Sequence, residues 1–125
     1  ALKIICVDDS RLGLSSLKRR TRTAAPDADI ITCRSPDEAV KQAKAQGCDV
    51  LLTEIGVGRS AISGILLAQQ IKEINPKVNI IFITICSIHE HAAQILPLKI
   101  SGYITKPYRQ EQLAEEFAHL RYETA

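Results

Sequence analysis

Asp49-Val50-Leu51-Leu52-Thr53-Glu54 is a short, nearly unbroken apolar run that ends in a carboxylate. Opened by the break at Gly47, it reads as a strand buried on both faces, as in the middle of a parallel sheet. In an open α/β sheet, ligands bind beyond the carboxyl ends of the strands, so Glu54 falls on the functional edge. A second apolar run, Ile4-Ile5-Cys6-Val7, ends in Asp8-Asp9. If the two strands are neighbours, three carboxylates converge on one point.

Working outward, Leu2 to Val7 reads as the first strand. A helix follows from Arg11 to about Thr23, with Ser10 as its cap. Leu12, Leu14 and Leu17 are expected toward the core, with Arg11, Lys18, Arg19, Arg20 and Arg22 mostly outside. Asp29 to Cys33 is the second strand. Ser35-Pro36-Asp37-Glu38 then starts a helix with a capping box and a proline at its first position. That helix runs to about Gln46, and Gly47 supplies a left-handed stop.

After the third strand, a loop over Ile55 to Ile62 leads into a helix from Ser63 to Ile74, with Ile65, Leu66, Ala68 and Ile71 at helical spacing. Asn79 to Thr84 is the fourth strand. A weaker helix, about His89 to Leu96, ends at Pro97. Ser101 to Thr105 is the fifth strand, and Arg109 to Arg121 the last helix. Strands alternating with helices in this way call for a parallel sheet covered on both faces, with right-handed crossovers. The fold class is therefore α/β: a flavodoxin-like, doubly wound (βα)5 three-layer sandwich with strand order 2-1-3-4-5. Strands one and three then meet at the switch point.

The 125 residues read as one domain, with 46% hydrophobic and 24% charged residues, which argues against disorder. The net charge of +2 is too balanced for nucleic-acid binding by this segment. No apolar run approaches the ~20 residues of a membrane span, and no signal-peptide pattern opens the chain. Cys6, Cys33, Cys48 and Cys86 form neither a CxxC pair nor a zinc spacing, which suits a reduced, cytoplasmic protein.

Taken together, these residues resemble the response-regulator receiver domain of bacterial two-component signalling. The resemblance covers essentially the whole chain. It rests on Asp8-Asp9 after strand one, Glu54 ending strand three, Thr84 ending strand four, and Gly102-Tyr103-Ile104-Thr105-Lys106-Pro107 around strand five. Each element alone is common, but together they stand in the family's order at strand ends.

The resemblance implies a site and its partners. Asp8, Asp9 and Glu54 would hold Mg²⁺, a hard cation that wants oxygen donors. Lys106 and Thr84 would meet a phosphoryl group delivered by a histidine kinase, the lysine neutralising its charge. Tyr103 would be the ring that turns inward in response. Lys106-Pro107 would be a cis peptide that aims the lysine. Members of this kind pair through the face of helix four, strand five and helix five, for which Arg109, Glu111, Glu115, Glu116 and Arg121 offer mixed charges. The second half resembles receivers that precede DNA-binding output domains of the LytTR kind.

The chain departs from the family at the centre. The phosphoacceptor position holds Glu54 where the family has aspartate, and the added methylene moves the carboxylate roughly 1.5 Å outward. A misplacement of ~1 Å can cost about 10²-fold in rate. The following stretch, from Ile55 to Gly64, lacks the family's proline and is about two residues longer. The expectation is thus an atypical receiver, a signalling module rather than an enzyme, biased toward its active form or regulated without phosphate. It would govern transcription through an attached output domain.

Two alternatives remain. Glu54 or another residue could still accept phosphate at a reduced rate. Or the chain could be a small flavin binder or enzyme on the same fold, against which stand its lack of Trp and of a phosphate loop after strand one.

Other features read more plainly. Gly56-x-Gly58-x-x-Ala61 imitates a dinucleotide fingerprint, but on the third strand and without the acidic partner. His89-Glu90-His91 could ligate a metal, though histidines around a helix start are more often solvent-exposed. Cys86 has no evident basic neighbour to activate it, and His119 reads as a surface position.

Overall fold

The structure, a computed structural model, describes residues 1–58 and 60–120. Arg121, the expected end of the last helix, lies outside that range, and within it the helix already stops at Ala118, with His119 and Leu120 non-helical. The elements run β1 (Lys3–Val7), α1 (Arg11–Ala24), β2 (Asp29–Cys33), α2 (Pro36–Gln46), β3 (Val50–Thr53) and α3 (Ser63–Ile74). They continue with β4 (Asn79–Thr84), α4 (Ala92–Ile95), β5 (Gly102–Thr105) and α5 (Gln110–Ala118). The five strands form one parallel sheet in the order β2-β1-β3-β4-β5.

The central strands are apolar on both faces because both are covered. Ile5, Val7, Leu51, Ile80 and Phe82 pack with residues of α2, α3 and α4 on one side. Ile4, Cys6, Val50, Leu52, Ile81 and Ile83 pack with Leu14 and Leu17 of α1 and Leu113 of α5 on the other. Each fully buried branched side chain contributes about 1.5–3 kcal/mol.

Helix ends follow local chemistry. Ser10 Oγ accepts from the Gly13 N–H at 3.1 Å, and Ser35 Oγ from the Glu38 N–H at 3.2 Å. Glu38 returns its carboxylate to the Arg34 N–H, one residue before the cap, at 3.4 Å. Gly47 closes α2 at φ +85°, a conformation that favours glycine.

Three expectations need correction. Leu12 is 84% exposed: two positions from Leu14 is ~200° around a helix, the opposite face. The buried stripe of α1 is Leu14, Leu17 and Thr21. In α3, Leu66 is 46% exposed while Leu67 is fully buried, so the stripe runs Gly64, Ile65, Leu67, Ala68, Ile71. The single helix expected over His89 to Leu96 is instead a 3₁₀ turn (Ile88–His91), the one-turn α4, and a second 3₁₀ turn (Leu96–Leu98). Pro97 lacks the N–H that would extend α4.

Leu51→Ala should cost about 2–5 kcal/mol in urea unfolding, whereas Leu12→Ala should stay within about 0.5 kcal/mol. Thiol chemistry offers a second check. Cys6, Cys33 and Cys48 are buried, and burial pushes their pKa values up to about 12, 11 and 12. Iodoacetamide at mildly alkaline pH should therefore alkylate Cys86 alone in the native chain and all four thiols after denaturation, as read by mass spectrometry.

Candidate functional site: the acidic edge of the sheet

Parallel register builds the site. Val7 of β1 stands opposite Thr53 of β3, so the next residues, Asp8 and Glu54, leave the sheet side by side. The Glu54 N–H still donates to the Val7 carbonyl at 3.3 Å. Thr84 closes β4 opposite Thr105 of β5, and the Lys106 N–H donates to the Thr84 carbonyl at 2.8 Å. Lys106 thereby reaches the acidic edge. Its Nζ lies 3.6 Å from Asp8 Oδ2 and 3.5 Å from Glu54 Oε1. The Lys106–Pro107 peptide is cis.

Each carboxylate has further partners. Asp8, which is buried, accepts from the Ser10 N–H at 2.9 Å. Asp9 is exposed and accepts from the Gly58 N–H at 3.1 Å, which ties it to the loop after β3. Glu54 Oε2 accepts from the N–H of Ile55 at 3.1 Å. Thr53 is fully buried, and its hydroxyl donates to the Glu54 carbonyl at 2.9 Å.

The donor set of Asp8, Asp9 and Glu54 is all hard oxygen, the kind that suits Mg²⁺ or Ca²⁺. Carboxylate oxygens keep lone pairs beyond one N–H or ammonium contact, so the chemistry fits such an ion. Two of the three, however, already face the lysine. Among the described residues, the grouping of three ligating side chains with all ligand atoms within 4.8 Å is not here but at Cys86, Glu90 and His91.

Thr84 is fully buried, and its Oγ1 accepts from the Cys86 N–H at 3.2 Å. Tyr103 is half-buried, edge-on to Phe82 with ring centroids 6.3 Å apart. Its hydroxyl donates to the Cys86 carbonyl at 2.8 Å. Burial first, then the Cys86 thiol and the carboxylates of Glu90 and Glu54, push the phenol up to about 12. The ring is thus turned in, its hydroxyl bonded to the backbone that follows Thr84.

Two glycines complete the site, and neither stands out among the candidate residues of the sequence. A Cβ on Gly13 would lie 2.6 Å from Asp8 Oδ2, so this helical position stays bare to admit the carboxylate. A Cβ on Gly64 would overlap the Glu54 carbonyl, and the Gly64 N–H donates to the Ile55 carbonyl at 2.6 Å. The available signal was a glycine within a helical pattern, where it costs ~1 kcal/mol against alanine and asks for a packing reason. Beside the acidic edge lies a cavity of about 320 Å³ whose walls include Asp8, Glu54, Lys106, Arg20 and Tyr108. Arg20 lies 4.6 Å from the Tyr108 ring centroid and donates to its carbonyl at 2.9 Å.

Residues 4–118 match the family model of the response regulator receiver domain. The chain belongs to this family. Receiver domains are the signal-accepting modules of two-component systems, signalling rather than catalytic. This one is similar to the transcriptional regulatory protein YpdB of Escherichia coli, at 27% identity over 90% of the chain. It spans 44% of YpdB, so less than half the length of that relative. The response regulatory domain of MrkE from Klebsiella pneumoniae superposes with a TM-score of 0.82 at 27% identity, covering 95% of this chain and 94% of that one. A Burkholderia pseudomallei response regulator with a phosphorylated aspartic acid, calcium ion and citrate superposes at 0.80 and 21% identity, covering 97% of this chain and 67% of that one. At that identity the likeness is one of fold. In this receiver domain, no helix among the described residues is long and apolar enough to cross a membrane.

The contact between Gly13 and Asp8 gives a double-mutant test. In an Asp8→Ala background, Gly13→Ala should stabilise by about the 1 kcal/mol of helix propensity. With Asp8 present, the displaced carboxylate should cancel that gain. A coupling of about 1 kcal/mol in chemical denaturation is expected, and additivity would mean that the glycine is not there for Asp8.

Proposed function

We propose that this receiver domain is an atypical one in which Glu54 occupies the phosphoacceptor position and holds the switch partly on without phosphate. The observation that carries the reading is the 3.5 Å approach of Glu54 Oε1 to Lys106 Nζ. The glutamate already offers the lysine an anion, the role an incoming phosphoryl group would take. The inward Tyr103 ring supports the same reading. The bias is partial, because a carboxylate carries one negative charge where a phosphoryl group carries up to about two and three acceptor oxygens.

Asp8, Asp9 and Glu54 are the residues that would hold Mg²⁺, which would supply charge neutralisation at this edge. The loop meets Asp9 through the Gly58 N–H, and Lys106 spans the other two carboxylates. The longer side chain of Glu54 and the altered loop after β3 favour binding weaker than in an aspartate-bearing receiver. Thr84, Tyr103 and Lys106 form the sensing set. The domain acts by changing contacts, not by turning over a substrate.

The share of YpdB that this chain leaves uncovered supports an output domain outside the sequence, and YpdB's designation as a transcriptional regulatory protein favours a DNA-binding one, of the LytTR kind. The cytoplasm is the compartment in which a histidine kinase and such an output would meet it. A homodimer through α4, β5 and α5 would cover Leu96, 75% exposed, and engage the charges of α5.

Beryllofluoride with Mg²⁺, followed by amide NMR, tests the proposal. The wild type should show no saturable shifts, and Glu54→Asp should bind with large shifts at Thr84 and Tyr103. A stoichiometric, Mg²⁺-dependent mass gain from acetyl phosphate that disappears in Glu54→Gln would sink the phosphate-free reading.

A further inference from the structure

We propose that the loop between β4 and α4 holds a binding site for a borderline-soft divalent cation, Zn²⁺ in the first place, formed by Cys86, Glu90 and His91. The ligand atoms of these three side chains all lie within 4.8 Å of one another. They stand apart from the acidic edge and differ from it in chemistry. One sulfur, one imidazole nitrogen and one carboxylate oxygen form a mixed set that selects Zn²⁺ over the hard cations that suit Asp8, Asp9 and Glu54. Three protein ligands leave a fourth tetrahedral position for water or a partner's side chain.

The backbone holds the donors together before any ion arrives. The Cys86 N–H is tied to Thr84 Oγ1 at 3.2 Å, and the Cys86 carbonyl accepts from the Tyr103 hydroxyl at 2.8 Å. Ser87 Oγ accepts from the His89 N–H at 3.3 Å and the Ser87 carbonyl from the Glu90 N–H at 3.1 Å. The resulting 3₁₀ turn carries Glu90 and His91 back over Cys86. The site is also accessible: Cys86 and His91 are half-exposed and Glu90 is exposed. Cys86 is the one thiol of the four that is not buried.

Metal–ligand bonds of about 2.0–2.3 Å require the three side chains to draw inward, which rotamer changes at a half-exposed site allow. The ion would then clamp the residue whose backbone joins Thr84 to Tyr103. Occupancy should hold the Tyr103 ring in its inward position. Binding does not depend on the identity of residue 54, so Glu54→Asp should take up the metal equally well. The metal site and the phosphate-free reading can therefore fail separately.

The test is titration of the full chain, reduced and metal-free, with Zn²⁺ by calorimetry and with Co²⁺ by absorbance. One Zn²⁺ per chain is expected. Affinity should fall at least tenfold in Cys86→Ser and in His91→Ala, and stay unchanged in His89→Ala and His119→Ala. The Co²⁺ form should show thiolate charge-transfer absorption that Cys86→Ser abolishes, and Zn²⁺ should shift the Thr84 and Tyr103 amide resonances. These substitutions are outside the core, and circular dichroism would verify that each variant is folded. Absence of stoichiometric binding would overturn the proposal. So would binding that survives Cys86→Ser or His91→Ala, or a Co²⁺ spectrum without thiolate character.

Discussion

Two carboxylates on adjacent strands repel unless a cation stands between them, and here that cation is Lys106. Much of the architecture serves this meeting. Asp8 and Glu54 are neighbours only because β1 and β3 pair in the middle of the sheet. Central strands of a parallel sheet lose water on both faces, so helices must cover both sides. Lys106 follows β5, on the Glu54 side of the switch in strand order and across it from Asp8, and a backbone bond to the end of β4 brings it to the pair. The site is thus a point where both halves of the sheet share one electrostatic problem.

That meeting is also connected to the loop after β4. Thr84 ends its strand fully buried, Cys86 hangs from the threonine hydroxyl, and Tyr103 of the neighbouring strand bonds to Cys86. Tyr103 thus ties the backbone after β4 to β5, the strand that leads into Lys106.

The strands and their order are legible in the sequence because buried parallel strands are short apolar runs bounded by turn residues, and each such run ends at a chemically distinct residue. The boundaries of β2, α2, α3 and β4 match those read from apolar runs, helical spacing, the Ser35 cap and the breaks at Gly47 and Asn75-Pro76. Asp8, Glu54 and Lys106 are legible by their place at strand ends, and the structure brings them together. What a one-dimensional pattern hides is angular. Leu12 looks like a core leucine until its angle from Leu14 is counted, and Leu66 stands beside the truly buried Leu67. Contacts that depend on distant backbone are hidden too: nothing near Gly13 in sequence says that a carboxylate needs its missing side chain. The meeting of Cys86 with Glu90 and His91 depends on a 3₁₀ turn where helical periodicity suggests a regular helix.

Gly64 has a consequence for how this family of sites can diversify. With its N–H on the Ile55 carbonyl and its Cα face against the Glu54 carbonyl, it fastens the far foot of the β3–α3 loop to the near one. Residues between two joined feet can be added or exchanged without moving what stands at the feet. Closing a loop of this size with two more residues costs only about 0.2 kcal/mol in chain entropy. The segment can thus swell outward like a blister, changing what it presents to other molecules while Glu54 stays where the sheet has put it.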